Sequence, residues 1–359
     1  MKQSYVVTGF ILILLSALFL TGFQCGSAEA TSAKLYMQRG DWPAAEKAWQ
    51  KEVDKNDQNT EAWYSLGEVR ARMRNYPGML QAFEKAWNGP GGEVWHQRIA
   101  DVKKGAWGTN LNEGVIAFNA GAKASPDSAA VYREKAVESY KTALLINPDS
   151  AITYLNIAIA LQTLGRVDEQ IAYLEKGLAV KKDPQFINTL INAYLTKAAE
   201  ARKAGKTEEA KTYYMKAVDA VTSVRESGGD SDEMRQVEGS VHLQLGVIAL
   251  QADNLTDATL HLDKAIELDS SSQDGLYNGG LAYLKVAAKM KEASAGDPKK
   301  LDPTYVSRLK RAAALLDKYL AAKPDDGATW ELLGTAYGMA GMTKEAAVAM
   351  RRADALKKK

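Results

Sequence analysis

One cysteine, nine prolines and three histidines in 359 residues set the first limits on this chain. A lone thiol, Cys25, leaves the folded body without an intrachain disulfide and gives redox chemistry no foothold. The histidines, His96, His242 and His261, include no pair at the four-residue spacing of a zinc-binding helix and no HExxH motif. No glycine loop has the lysine and hydroxyl residue that a phosphate cradle requires. Charge of one sign is also missing, because 46 basic and 44 acidic side chains leave a formal +2. Removing residues 1-24 takes away Lys2 alone and leaves 45 against 44. Such a body has no global field with which to gather nucleic acid. The reading is therefore no catalytic group, no cofactor and no metal.

Leucine, alanine, lysine and glutamate are frequent, and with proline sparse the composition favours helix. The stretch Ala328 to Ala353 sets the pattern. Trp330, Leu333, Gly334 and Tyr337 mark one helix, and Ala346, Met350 and Ala353 mark a second. Gly334 and Ala346, twelve apart, suit a close antiparallel crossing. The spacing recurs upstream: Gly246 is followed 34 residues later by Gly280, and Ala158 by Ile191 after 33. Thr60 to Gly92 repeats the arrangement through Trp63, Leu66, Gly67, Phe83 and Ala86.

This pattern resembles the tetratricopeptide repeat, a helix-turn-helix unit of about 34 residues. The resemblance implies an all-α, right-handed superhelical solenoid of antiparallel helix pairs, here with several extended or inserted hairpins. The expected organisation is a signal sequence at 1-24, an N-terminal repeat pair at 31-92 and an irregular helical joint at 93-121. Central repeats with long helices follow at 122-225, then an acidic glycine-rich loop at 226-238. C-terminal repeats occupy 239-359, with an insertion at about 286-305 expected as a projecting hairpin or loop. Within these, Pro43 is expected in the first turn of a helix, and Ser125 is expected to cap one that Pro126 starts.

In family members, four positions of each first helix look into a concave groove. They read Tyr64, Glu68, Ala71 and Arg72 in one repeat, and Leu243, Val247, Leu250 and Gln251 in another. Tyr64, Glu68, Arg72, Asn188, Asn192 and Gln251 are the candidate partner-binding residues. The low charge of the central groove favours an apolar peptide, a partner helix or another copy of the chain. His242 and His261 fall on the two helices of one repeat and are expected near each other in space, but a pair supplies too few ligands for a metal.

Lys2 precedes an apolar run from Val6 to Leu20, which describes a bacterial export signal. Cys25 lies five residues beyond Leu20, like the acylated first residue of a lipoprotein, and is the candidate lipidation site. Gln24 departs from the small residue that a lipobox places there, and Ala28-Glu29-Ala30 offers ordinary cleavage after Ala28 or Ala30 as the alternative. The functional expectation is a non-enzymatic protein-protein interaction scaffold in the cell envelope, in the periplasm or lipid-anchored at the periplasmic face of the outer membrane. The alternative is a periplasmic glycan- or polymer-binding module that uses Trp95 and Trp107.

Overall fold

A computed structural model describes residues 27–226 and 231–357, so residues 1-24, Cys25 and the Ser227 to Asp230 tract lie outside the described residues. The described chain is an all-α solenoid of paired antiparallel helices, with no strand among the described residues. It divides into two compact units, one ending at Ala160 and the other beginning at Leu161.

The first unit contains α1 (Ala28–Arg39), α2 (Trp42–Lys55), α3 (Thr60–Arg72), α4 (Tyr76–Asn88), α5 (His96–Lys123), α6 (Pro126–Ile146) and most of α7 (Ala151–Thr163). The helix starts are local. Asp41, Asn59 and Asn75 each accept a hydrogen bond from the backbone amide three residues on, satisfying an amide that has no partner within the helix. Pro43 and Pro77 stand in first turns, where the missing amide hydrogen costs nothing. Gly40 ends α1 at φ 73°, a conformation that an L side chain resists. Ser125 occupies the cap position of α6 ahead of Pro126, but its hydroxyl engages Ser128 Oγ at 3.2 Å and makes no capping bond to the backbone.

The second unit contains α8 (Val167–Val180), α9 (Pro184–Lys203), α10 (Thr207–Glu226), α11 (Asp232–Gln251), α12 (Leu255–Leu268), α13 (Gln273–Ala293), α14 (Tyr305–Ala322), α15 (Gly327–Met339) and α16 (Thr343–Lys357). Successive repeats in this unit are joined by a recurring polar contact. Tyr194 donates to Glu175 at 3.0 Å, Tyr283 to Asp263 at 2.5 Å and Tyr337 to Asp317 at 2.8 Å. Each runs from a first helix to the second helix of the preceding repeat. In the first unit Arg70 holds the corresponding place, donating to Glu46 at 3.0 Å and Gln50 at 2.7 Å.

Pairs close where a small residue meets a large one. A β-carbon built on Gly67 would lie 2.4 Å from Phe83, and one on Gly246 would lie 2.6 Å from Leu262. Gly334 faces Met350, while Ala346 faces Gly338, so the expected Gly334–Ala346 crossing is displaced by one helical turn. The reason is side-chain direction: a residue covers the turn N-terminal to its own Cα, which shifts the partner along the facing helix.

Three expected irregularities are more regular in the structure. Residues 93-121, expected as an irregular joint, form a short 3-10 turn, Gly92–Trp95, and then the 28-residue helix α5. The glycines in this stretch lower helix propensity, but Gly114 and Gly121 lie where α6 approaches too closely for a side chain. Residues 232 to 238 of the expected acidic loop begin α11, whose N-cap Ser231 accepts from the Met234 amide at 3.2 Å. Within the expected insertion at 286-305, residues 286-293 are helical and 294-304 form a largely exposed connection of turns and a short 3-10 segment. α13 continues to Ala293, Ser294 is buried, and Leu301 and Tyr305 pack onto the C-terminal core. Those two apolar side chains fold the connection back against the helices.

Candidate partner-binding grooves

Within the first unit, α3 and α5 are the first helices of neighbouring pairs, and a cavity of about 340 Å³ lies between them. Glu68, Arg72 and Arg74 line it from the end of α3 and the turn after it, and Val102, Gly105, Ala106 and Thr109 from α5. Spacings of three and four residues put those α5 side chains on one face. Glu68 is half-buried and Arg72 is exposed, so the wall carries an anion and a cation within one turn. Arg74, at φ 60°, reaches across to α5 and holds Glu113 with two hydrogen bonds of 2.6 and 2.9 Å. That pairing lowers the Glu113 pKa and raises that of Arg74.

Tyr64, the third candidate in this repeat, is 7% exposed. Its ring stacks on Trp95 at 4.4 Å and lies 6.0 Å from Phe83. Burial, and secondarily the Glu68 carboxylate, pushes its hydroxyl up to about 12. The side chain belongs to the apolar core, does not line the cavity and offers a partner little surface. Sequence spacing located Glu68 and Arg72 but missed Arg74, Val102 and Thr109. Only the continuity of α5 across Gly105 and Gly108 brings the last two into place.

Asn188 and Asn192 are exposed one turn apart on α9, and the same stripe continues to Leu195 and Arg202. On α11, Ser240 and Gln244 share a face that leads to exposed Gln251. The two stripes meet where Arg202 donates to Gln244, beside a cavity of about 320 Å³ lined by Leu195, Arg202, Tyr214, Ser240, Val241 and Gln244. Asn188, Asn192 and Gln251 flank this cavity without lining it.

His242 and His261 meet as expected, with their Nδ1 atoms 3.0 Å apart. Desolvation lowers both pKa values, and each ring is also influenced by nearby charges. Glu238 is 4.0 Å from His242 Nε2, on the side away from His261, and is itself held by Arg225 at 2.6 Å. Among the described residues no group of three or more His, Cys, Asp or Glu side chains could hold a metal ion. None of the described helices is long and apolar enough to cross a membrane. Trp95 and Trp107 do not form one platform. Trp95 covers Tyr64, whereas Trp107 donates to Thr153 Oγ1 at 3.2 Å and lines a separate cavity.

Tetratricopeptide-repeat family models match residues 31–93 in one case, and 151–184 and 191–220 in another. A comparison with curated protein sequences finds no match. Solved structures similar to parts of the chain include YrrB, described as a tetratricopeptide protein with an unusual peptide-binding site. It is 17% identical, with 62% of this chain and 94% of that one covered and a TM-score of 0.37. A tetratricopeptide-repeat protein of Bacteroides fragilis is 18% identical over 65% of this chain and 98% of its own, with a TM-score of 0.42. A thermophilic relative from Thermus thermophilus is 22% identical over 54% and 91%, with a TM-score of 0.25. The segments at 31–93, 151–184 and 191–220 thus match tetratricopeptide repeats, and the described helices pair antiparallel in the way that fold requires.

Proposed function

We propose that this protein is a non-enzymatic scaffold of the bacterial cell envelope, exported through residues 1-24 and holding a peptide segment or partner helix against its first helices. One observation carries the reading: Glu68 and Arg72 on α3 and Val102 and Thr109 on α5 line a single cavity between successive first helices. A cavity with an apolar wall and a cation beside an anion selects for side-chain pattern while leaving the partner backbone open to further contacts. Attachment through an acylated Cys25 belongs to the same proposal, and ordinary cleavage after Ala28 or Ala30 is its alternative. Either cleavage would remove Ser27, whose hydroxyl caps α1 at 2.9 Å and also donates to buried Glu52, so the packing of α1 favours a mature start before Ser27.

The test is site-specific photocrosslinking in a bacterial host, with the photoreactive residue at Arg72, Asn192 or exposed Lys51 on a second helix. Reproducible partner adducts from the first two positions and none from the third are expected. Equal adducts from all three would remove the first-helix assignment. Intact mass of the same protein separates acylated Cys25 from the two shorter starts.

A further inference from the structure

The long helix α5 has a second lined flank. Val102, Ala106 and Thr109 face α3, whereas Ile99, Lys103 and Trp107 lie roughly 50° to 130° around the helix from them and line a different cavity. That cavity measures about 550 Å³ and also touches Trp87 at the end of α4 and Ile146 and Pro148 after the last turn of α6. It is bounded entirely within the first unit.

Its floor is apolar and its rim is basic. Ile99 and Ile146 are buried, and Trp107 is fixed by the hydrogen bond from its indole nitrogen to Thr153. Trp87 is 44% exposed, a large apolar surface left open to solvent. It is nevertheless held in place, because the His96 ring stacks on it at 3.5 Å with only 10° between planes, and His96 Nε2 lies 3.2 Å from the Trp87 carbonyl oxygen. Among the described residues neither Lys103 nor Lys104 forms an ion pair, unlike Lys197, Lys211, Lys264 and Lys289 in the second unit. Asp149 is the one acid lining the cavity, and it is exposed. A preformed apolar slot beside two unneutralised cations complements a ligand that is apolar in its body and anionic at its edge.

We propose that this cavity is a second partner-binding site, which takes an acidic peptide segment by seating a large apolar side chain between Trp87 and Trp107 and pairing a flanking carboxylate with Lys103 and Lys104. The volume suits one aromatic or long aliphatic side chain with its neighbours, not a folded surface. Adjacent lysines on one helix accept carboxylates from a flexible segment without demanding bidentate geometry. The site is independent of the α3/α5 groove, so either can fail without the other.

Fluorescence anisotropy with the purified full chain and three labelled probes tests it. The probes are Gly-Glu-Asp-Phe-Leu-Asp-Glu-Gly, the same peptide with lysine for every acid, and the same peptide with serine for phenylalanine and leucine. The acidic apolar probe is expected to bind at least about tenfold tighter than either control, and more weakly as salt rises. The double reversal Lys103→Glu with Lys104→Glu is expected to reduce that affinity about tenfold, and Trp87→Ala to reduce it several-fold. Arg72→Glu, in the other groove, leaves it unchanged. Circular dichroism melts confirm that each variant folds, and the Trp87 indole NH resonance reports occupancy in the wild type. Equal binding of the basic probe, or affinity unchanged by the lysine reversals, overturns the site. Loss of binding only in Arg72→Glu also overturns it while supporting the α3/α5 groove. Binding of laurate with no peptide response replaces the peptide by an anionic amphiphile and overturns it as well.

Discussion

The hairpins α3/α4 and α5/α6 belong to one unit and close on the same kind of contact, yet one is built from helices of 13 and 13 residues and the other from 28 and 21. In the short pair a β-carbon on Gly67 would meet Phe83 at 2.4 Å, sixteen residues later. In the long pair a β-carbon on Gly114 would meet Tyr140 at 2.3 Å, twenty-six residues later. The same sixteen-residue separation joins Gly246 to Leu262 and Gly334 to Met350. The glycine-to-large-residue crossing is thus the common element, and length is added on both sides of it: ten more residues across the turn, and eighteen residues of α5 ahead of Gly114 where α3 has seven ahead of Gly67. At about 1.5 Å per residue, α5 runs some 40 Å against about 20 Å for α3. The turns added ahead of the crossing carry Val102 and Lys103, so the extension contributes to the walls of both cavities in the unit.

If the crossing anchors both hairpins alike, emptying it should cost the same in each. Phe83→Ala and Tyr140→Ala are each expected to destabilise their hairpin by about 3–5 kcal/mol, measured by urea unfolding and by amide exchange in α4 and α6. Tyr140 is buried, with its hydroxyl pushed up to about 12 by desolvation, so its loss removes packing and not an exposed ring. A cost below about 1 kcal/mol at Tyr140 would show that the extra turns of α5 and α6 hold the long hairpin without the crossing.

Overfilling the crossing is a milder perturbation. Gly67→Ala and Gly114→Ala push a methyl group into an aromatic ring and should each cost about 1–3 kcal/mol, despite the gain in helix propensity. A stabilised Gly114→Ala in thermal melts would mean that the long hairpin slides to make room and the short one cannot.

The second unit offers a polar variation on the same theme. Gln170 is 1% exposed on α8, and its side-chain nitrogen has no hydrogen-bond partner among the described residues. Gln170→Met keeps the volume and removes the unpaired donor, and should stabilise by about 1 kcal/mol in urea unfolding. No gain would indicate that the amide finds a partner in solution.

Beside the Gly246–Leu262 crossing, His242, one turn before Gly246, meets His261, the neighbour of Leu262. Their folded pKa values lie below the ordinary 6.5, so the unfolded chain binds protons first as pH falls. The histidine contribution to stability is fully present above about pH 6.5 and is lost as pH drops through the folded values. Melts of the wild type between pH 7.5 and pH 5 should show a falling midpoint, and His261→Gln should flatten that slope. An unchanged slope would assign the acid sensitivity to carboxylates elsewhere.

Much of this arrangement was legible in the residues. Pro43 in a first turn, the small residues at crossings and the 33- to 34-residue recurrence are local or periodic signals that survive in one sequence. The approach of His242 to His261 followed from their places on paired helices. Other features depended on partners distant in sequence. Residues 93-121 read as an irregular helical joint, because nothing local says that Gly114 admits Tyr140 of a neighbouring helix. The segment after Ala293 carries no local sign that it is anchored, because Leu301 and Tyr305 find their core only in three dimensions. Trp95 and Trp107 both pack against one apolar cluster, yet only the tertiary contacts stack Trp95 on Tyr64 and set Trp107 in a cavity wall.

The sequence by itself determined that this protein is built of paired helices, because helix periodicity, caps and repeat length are encoded within spans that one hairpin contains. Tertiary structure alone decided where surfaces open. A cavity is defined by what fails to fill it, and whether Lys103 or Arg72 borders one depends on how far α5 extends past its crossing with α6.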